Sequence, residues 1–345
     1  MDDMMRDTFA QQGYIIVPNV LDQDQLDELN EVYNQKIDEQ EYIRSKNRTD
    51  KKIRFSIRRR NTYQTTDRHG NTYAGRRFWS KAYRNLIDNE IMLPILEEIL
   101  GDPSWGHAPA HMPVDLRTLF RLDHDNIHYK PSRKLTKGED KGGTLHGGSS
   151  NFHVTCVYEL KTVGPNDGGF GCVVGTHKPD NEKKLRNIDG DWRRNWCNTR
   201  WTLQLPNWDE DVLVHRVSAK AGDCILFTEK LTHGTIPWSG LGERRTLFYK
   251  YVPFGMHHGD VAYDTNDPEL TERQKRILEF SPCWFNEPRE DKDYSANPSL
   301  TKLHPLTRLN SDPSVLLKGM SPPHIRLTDK TKEKLSHWVR PDRHG

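Results

Sequence analysis

Two histidines stand in settings that suit metal chemistry. His146 ends a glycine-rich turn, Thr144-Leu145-His146-Gly147-Gly148, just ahead of an apolar run. His233 closes the stretch that starts at Ala221-Gly222-Asp223, where a turn opens the run Cys224–Phe227 and a polar segment follows. Arg244 comes eleven residues after His233, at the edge of the run Thr246–Val252. Two neutral imidazoles on separate strands, with a cation across the cavity, suit a redox metal that also takes an anionic co-substrate. Imidazole favours iron, copper, zinc and nickel, and geometry decides among them. The same residues also fit ordinary histidines at a barrel rim, and spacing alone does not separate the two readings. The chain has 16 histidines, so no single one carries the argument.

The elements that must position these residues change character along the chain. Residues 9–20 read as an extended lead-in around Gly13-Tyr14-Ile15-Ile16-Val17-Pro18. Asp22 with Gln25 three residues on has the pattern of a capping box. Leu26, Leu29, Val32, Tyr33 and Ile37 follow at helical spacing, which predicts a helix over 22–38. The polar, basic stretch 43–76 reads as a solvated loop rather than a nucleic-acid patch, and a third reading has the run Arg54–Arg60 meet an anionic group on the substrate. A second helix is expected from Asn89 to Leu100, stopped by Gly101. From about 114 to 253 short alternating runs take over: Leu116–Leu122, Phe152–Leu160, Phe170–Val174, Leu213–Val217, Cys224–Phe227 and Thr246–Val252. Turns such as Asn166-Asp167-Gly168-Gly169 separate them, which argues for a sandwich or barrel. The tail 255–345 is Pro-rich and charged, with a helix expected near Thr271–Phe280 that turns Ile277 and Leu278 inward. Trp284, Phe285 and Trp338 are expected to pack back on the body.

Length alone, 345 residues, favours about two domains. The tail nevertheless reads as decoration of one domain, 1–345: an N-terminal helical part over 1–113, a β core over 114–254 and an extension over 255–345. Lys plus Arg number 51 against 49 for Asp plus Glu, a net charge of +2. That balance argues against a nucleic-acid binder, which carries a strong basic excess. No apolar run approaches the roughly 18 residues of a membrane helix. Met1-Asp2-Asp3 lacks the layout of a signal peptide. The five cysteines are odd in number and none is paired as Cys-x-x-Cys, so neither a disulfide framework nor a zinc knuckle is expected. A reducing, cytoplasmic setting and a small-molecule substrate are the corresponding expectations.

Residues 115–253 resemble the phytanoyl-CoA dioxygenase family of non-haem iron, 2-oxoglutarate-dependent oxygenases. Gly168-Gly169-Phe170-Gly171-Cys172-Val173-Val174-Gly175-Thr176-His177-Lys178 is similar to that family's glycine, apolar run and Pro-Gly-Ser/Thr-His-Lys block. Ala221-Gly222-Asp223 through His233-Gly234-Thr235 resembles its second-histidine strand, Arg244 falls at its cofactor arginine, and Phe9 to Ile37 resembles its N-terminal strand and helix. The resemblance implies a mainly β fold with flanking helices, the double-stranded β-helix or cupin-like jelly roll. It implies Fe(II) held by His146 and His233, with 2-oxoglutarate and O2 as co-substrates. Arg244 would pair with the distal carboxylate of 2-oxoglutarate, through a fork that Lys lacks. Thr235 would offer that carboxylate a hydroxyl. His177 belongs to a loop motif that is structural in the family, so it stays out of the metal set.

One position departs from the pattern. The family places an acid two residues after the first histidine, completing a facial triad of two imidazoles and a carboxylate. Here that position is Gly148. Three readings follow. The vacant third position takes chloride or water, as in the radical halogenases that this His-x-Gly pattern resembles. Alternatively an acid arrives from elsewhere, with Asp125, Asp123, Glu139 and Asp140 the nearby candidates, and the enzyme is a hydroxylase. In the third reading the protein is a non-catalytic jelly-roll binding protein. Arg117 and Arg121 read as a surface stripe ahead of a cofactor-facing one, His124 and His128 around Asp125 as a polar strand end ahead of a metal cluster, and Trp238 as core ahead of a pocket wall.

Overall fold

The structure is a computed structural model, and it describes residues 1–46, 62–66, 72–100, 120–130, 145–147, 153–178, 191–194, 201–204, 214–253 and 263–278. The chain divides into two compact units. One comprises Met1–Arg59, Phe78–Ile95 and His124–Tyr251; the other comprises Arg60–Arg77, Leu96–Asp123 and Val252–Gly345.

The first unit opens with helix α1 (Asp3–Gln12) and strand β1 (Tyr14–Val17). The expected extended lead-in is therefore helical as far as Gln12. The local signals explain it: the Asp2 carboxylate accepts from Met5 N at 2.7 Å, and Gly13 ends the helix at φ 82°. An αL residue at that point favours glycine because it has no Cβ to clash. Helix α2 (Gln23–Lys46) starts where the capping box predicts. Asp22 Oδ1 accepts from Gln25 N at 2.8 Å, and Gln25 Oε1 accepts from Asp22 N at 3.0 Å. Leu26, Leu29 and Tyr33 are buried along one face.

A two-stranded ribbon, β2 (Thr62–Thr66) and β3 (Thr72–Arg76), belongs to the second unit. It corrects the loop reading of 43–76: Thr and Tyr crowd both segments, and such side chains suit a pleated surface. The basic run Arg54–Arg60 lies outside the described residues. Helix α3 (Lys81–Arg84) follows, then α4 (Leu93–Leu100). The latter begins four residues after the predicted start. Asn89 Oδ1 accepts from Ile91 N and Met92 N, both at 3.1 Å, and so holds a turn ahead of the helix. Pro94 then falls in the first turn, where its missing N–H costs nothing.

The β strands run β4 (Phe120–Lys130), β5 (Leu145–Gly147), β6 (Val154–Glu159), β7 (Gly169–Val173), β8 (Asp191–Arg194), β9 (Trp201–Gln204), β10 (His215–Arg216), β11 (Cys224–Thr228), β12 (Thr232–Ile236) and β13 (Arg244–Pro253). One sheet has the order β1-β11-β6-β13-β4 and the other β10-β7-β12-β5-β9-β8. The pairs β1–β11, β11–β6, β6–β13, β10–β7, β7–β12, β12–β5, β5–β9 and β9–β8 are antiparallel. This is the expected double-stranded β-helix, mainly β with flanking helices. The core between the two sheets joins Val157, Ile225 and Phe227 of one to Phe170 and Cys172 of the other.

Alternation along the strands sorts chemistry from scaffold. On β13, Leu247, Tyr249 and Tyr251 are fully buried and turn to the helical side. Tyr249 donates its hydroxyl proton to Tyr83 O at 2.8 Å, and Tyr251 donates to Leu86 O and Ile87 O at 3.0 Å. Arg244, Thr246 and Lys250 take the other face, where β6 supplies Thr155 and Glu159. Cys156, Cys172 and Cys224 are free thiols buried within strands, as expected for small apolar side chains. Cys197 and Cys283 lie outside the described residues.

In the second unit, helix α5 (Glu272–Leu278) sits where the sequence predicts, with Ile277 and Leu278 buried. Trp284, Phe285 and Trp338 lie outside the described residues. Arg121 overturns the surface reading. It is fully buried, with Nη1 3.5 Å from Asp123 Oδ1. Among the described residues no helix is long and apolar enough to cross a membrane.

Candidate metal centre

The two chosen histidines meet. His146 on β5 stands directly opposite His233 on β12, and their ring centroids are 4.3 Å apart. Opposed residues of an antiparallel pair project to the same face. The polar segment after Cys224–Phe227 is thus a strand, β12. Its polarity reflects the side chains that its inner face must carry, which is why alternation alone did not reveal it.

His233 is held firmly. Its Nδ1 donates to Leu231 O at 2.7 Å, since a carbonyl oxygen can only accept. In the neutral ring Nε2 is therefore left with a lone pair for a metal. Phe227 lies 4.5 Å from the imidazole and Phe170 6.0 Å, both centroid to centroid. Burial pushes the His233 pKa down to about 3; a neighbouring His146 adds to this, while Glu229 and the Leu231 carbonyl oppose it. The ring stays neutral, as ligation needs.

An acid completes the group. One ligand atom each from His146, Glu229 and His233 lies within 4.8 Å of the other two. Glu229 sits in the tight connection between β11 and β12 and is fully buried, with Oε2 3.7 Å from His233 Nε2. Its Oε1 accepts from Lys250 Nζ and from Thr155 Oγ1, both at 2.7 Å. Its own N–H donates to His153 O at 3.0 Å. The sequence reading missed this residue because it sought an acid two residues after the first histidine or in the segment that leads up to it, whereas Glu229 precedes the second histidine by four. The available signal was a carboxylate placed between two buried strands, where an unpaired charge is not tolerated.

Of the four acids named from the sequence, Asp123 pairs with Arg121 in the second unit, and Asp125 is buried on β4 outside the group around His146. Glu139, Asp140 and Gly148 lie outside the described residues. His177 belongs to the scaffold: its Nε2 donates to Ala10 O at 3.1 Å, and its ring packs so close to Gly13 that a Cβ there would lie 2.6 Å from Nδ1. Trp238 donates its Nε1–H to Gly242 O at 2.8 Å and braces the β12–β13 connection. His128 packs on Phe248 with centroids 4.4 Å apart.

Arg244 is 1% exposed, and its Nη2 donates to Glu159 Oε1. Glu159 Oε2 accepts from Thr246 Oγ1 at 2.6 Å. The remaining guanidinium donors, Nε and Nη1, are buried and meet no acceptor among the described residues. Buried donors are seldom left so, and an arginine is suited to a carboxylate. Gly169 makes room for this group. A Cβ at Gly169, whose φ is 92°, would lie 3.1 Å from Arg244 Nε and 3.3 Å from Cζ. Gly169 begins the strand on which Phe170 faces Thr235 and Cys172 faces His233. Thr235 follows His233 by two residues and shares its face of β12.

A sequence model of the phytanoyl-CoA dioxygenase (PhyH) family matches residues 9–246, well over half of the chain. The chain belongs to that family. It is an oxygenase-type enzyme built on the family's jelly roll. No curated protein matches it in sequence. Similar solved structures include HygX from Streptomyces hygroscopicus with nickel and 2-oxoglutarate bound. That structure is 15% identical at a TM-score of 0.46, over 76% of this chain and 96% of HygX. AviO1 from Streptomyces viridochromogenes Tue57 is 14% identical at 0.44, over 72% and 93%. The epimerase SnoN, in complex with Fe3+, alpha ketoglutarate and nogalamycin RO, is 16% identical at 0.44, over 73% and 83%.

Proposed function

We propose that this PhyH-family enzyme uses Fe(II), 2-oxoglutarate and O2 to oxidise an unactivated aliphatic C–H bond of a small molecule. The observation that carries the reading is the meeting of His146 and His233 across one strand pair, on a jelly roll that also buries Arg244 with two donors unmet among the described residues. The residues fit the groups they would hold. Two imidazoles and a carboxylate suit iron, and unmet guanidinium donors suit a dicarboxylate.

When bound, iron would activate O2 as the oxidant, and 2-oxoglutarate would supply two electrons as it loses carbon dioxide to become succinate. The chain supplies placement. Leu231 O fixes the His233 ring through Nδ1–H, an arrangement that sets tautomer and direction together. Glu159 and Thr246 hold Arg244 in place, so the guanidinium is pre-oriented for the distal carboxylate. Thr235 would add its hydroxyl to that carboxylate. Phe170 and Phe227 keep water from the inner side of the imidazole. Whether hydroxyl or halide reaches the substrate carbon turns on the third ligand, which Gly148 by itself would leave to an anion.

Anaerobic titration of the full chain with Fe(II) and 2-oxoglutarate tests the reading. A weak visible charge-transfer band is expected, followed by succinate once oxygen is admitted. Folded protein that gives neither result would favour the non-catalytic binding protein.

A further inference from the structure

We propose that Glu229 is the third metal ligand, binding through Oε2 while Lys250 and Thr155 hold Oε1. This rests on the iron and 2-oxoglutarate reading above and specifies its ligand set.

The geometry points this way at several places. The two oxygens of Glu229 have different surroundings. Oε1 accepts two hydrogen bonds, from Lys250 Nζ and Thr155 Oγ1, each at 2.7 Å. Oε2 lies 3.7 Å from His233 Nε2. The Nδ1–H bond to Leu231 O leaves the neutral ring with a lone pair at Nε2. A lone pair and a carboxylate oxygen, both acceptors, thus face each other in a buried setting, with His146 alongside. A cation between them turns that repulsion into attraction.

A second consideration concerns Lys250. It stands directly opposite Thr155 in the β13–β6 register, so both heads reach one oxygen from neighbouring strands. Were Glu229 only the counter-ion of Lys250, one oxygen would suffice. The other has no need to be aimed at an imidazole. Partners that hold a ligating carboxylate in this way are a regular part of metal sites.

The consequence is a first shell of two imidazoles and one carboxylate, assembled without an acid at the position of Gly148. The reaction class that follows is hydroxylation. R–H, O2 and 2-oxoglutarate give R–OH, succinate and CO2. One oxygen atom enters the new C–O bond and the other enters succinate. Substrate and 2-oxoglutarate each lose two electrons, and O2 gains four.

Mn(II), which is stable in air, is the probe. Its affinity for the full chain is measured by calorimetry for wild type, Glu229→Gln, and Glu229→Gln combined with Lys250→Met. The double variant removes the cation that the first would leave buried without its counter-charge. Outer partners of a metal site alone are worth about 10- to 100-fold in affinity, so both variants are expected to bind at least about 100-fold more weakly. Thermal melting confirms folding in each case. A wild type that fails to bind Mn(II) sinks the oxygenase reading itself. A wild type that binds, with a folded double variant of equal affinity, overturns Glu229 as ligand and leaves that reading standing. A purely structural Glu229 would lower the melting temperature and leave affinity intact.

Discussion

Replacing Arg244 by Met separates the scaffold role of the guanidinium from its role toward a co-substrate. The substitution keeps the volume roughly constant and removes the charge that faces Glu159. Glu159 is fully buried and, among the described residues, keeps the Thr246 hydroxyl at 2.6 Å. Removing one partner of a buried ion pair costs about 3–5 kcal/mol, because the other charge is left uncompensated. Thr246 offsets part of that, so the lower end, about 3 kcal/mol, is the expected loss. In a domain of this size it corresponds to a fall in melting temperature of roughly 10 °C. Adding Glu159→Gln removes the stranded charge and should restore most of the stability. Affinity for 2-oxoglutarate must not recover with it. Charge-assisted hydrogen bonds lost to a carboxylate are worth about 1.5–3 kcal/mol each, so with both Nε and Nη1 removed calorimetry in the presence of Mn(II) should show binding weakened by at least about 100-fold in both variants. A double variant that melts like wild type and binds 2-oxoglutarate like wild type would refute the assignment of Arg244. A single variant with unchanged melting would refute the energetic argument about Glu159.

Gly169→Ala should disturb the same guanidinium from the opposite side. Its Cβ would come within 3.1 Å of Arg244 Nε at a φ of 92°, at a conformational cost of about 1–2 kcal/mol; calorimetry should register weaker 2-oxoglutarate binding, and unaltered binding would contradict the close approach. Phe227→Ala empties a buried site beside the His233 ring and should cost about 3–5 kcal/mol in urea unfolding. A loss too small to measure would mean that the ring is not packed as described. His177 has its pKa lowered from 6.5, by burial first, with the charges of Lys178 and Lys230 adding and the Ala10 carbonyl opposing. The unfolded chain therefore binds a proton more readily than the folded one. Its stabilising share is whole above 6.5 and is lost as the pH falls through the lower folded value. His177→Asn should flatten the acid side of the melting-temperature profile, and an unchanged profile would rule out that linkage.

The scaffold was read from the sequence where one physical signal acted alone. Asp22 and Gln25 announced a helix start because their side chains satisfy each other's backbone N–H groups. The apolar runs of β6, β11 and β13 announced buried strands. Elements with mixed signals were misread. β12 looked like a polar connection because His233 and Thr235 must face the interior. The ribbon of β2 and β3 looked like a loop because its polar threonines hid its β preference. In the site, His146, His233 and Arg244 were legible because the family block orders them along the chain. The placing of Glu229 beside the histidines was not, since Lys250 and Thr155 on two other strands hold it there, a contact that no spacing within one segment encodes. Arg121 was misread for the same reason: a charged strand residue suggests solvent unless its buried partner is known.

Strand β13 serves two masters in a single reading frame. Even-numbered positions carry the ion pairs to Glu159 and Glu229, and odd-numbered ones carry the tyrosines whose hydroxyls reach back to residues 83–87. Losing or gaining one residue between Arg244 and Lys250 would transpose these roles beyond the lesion, sending aromatic rings toward Glu159 and Glu229 and cations into the helical buttress. A point substitution along this segment disturbs one face, whereas a change of length disturbs both at once.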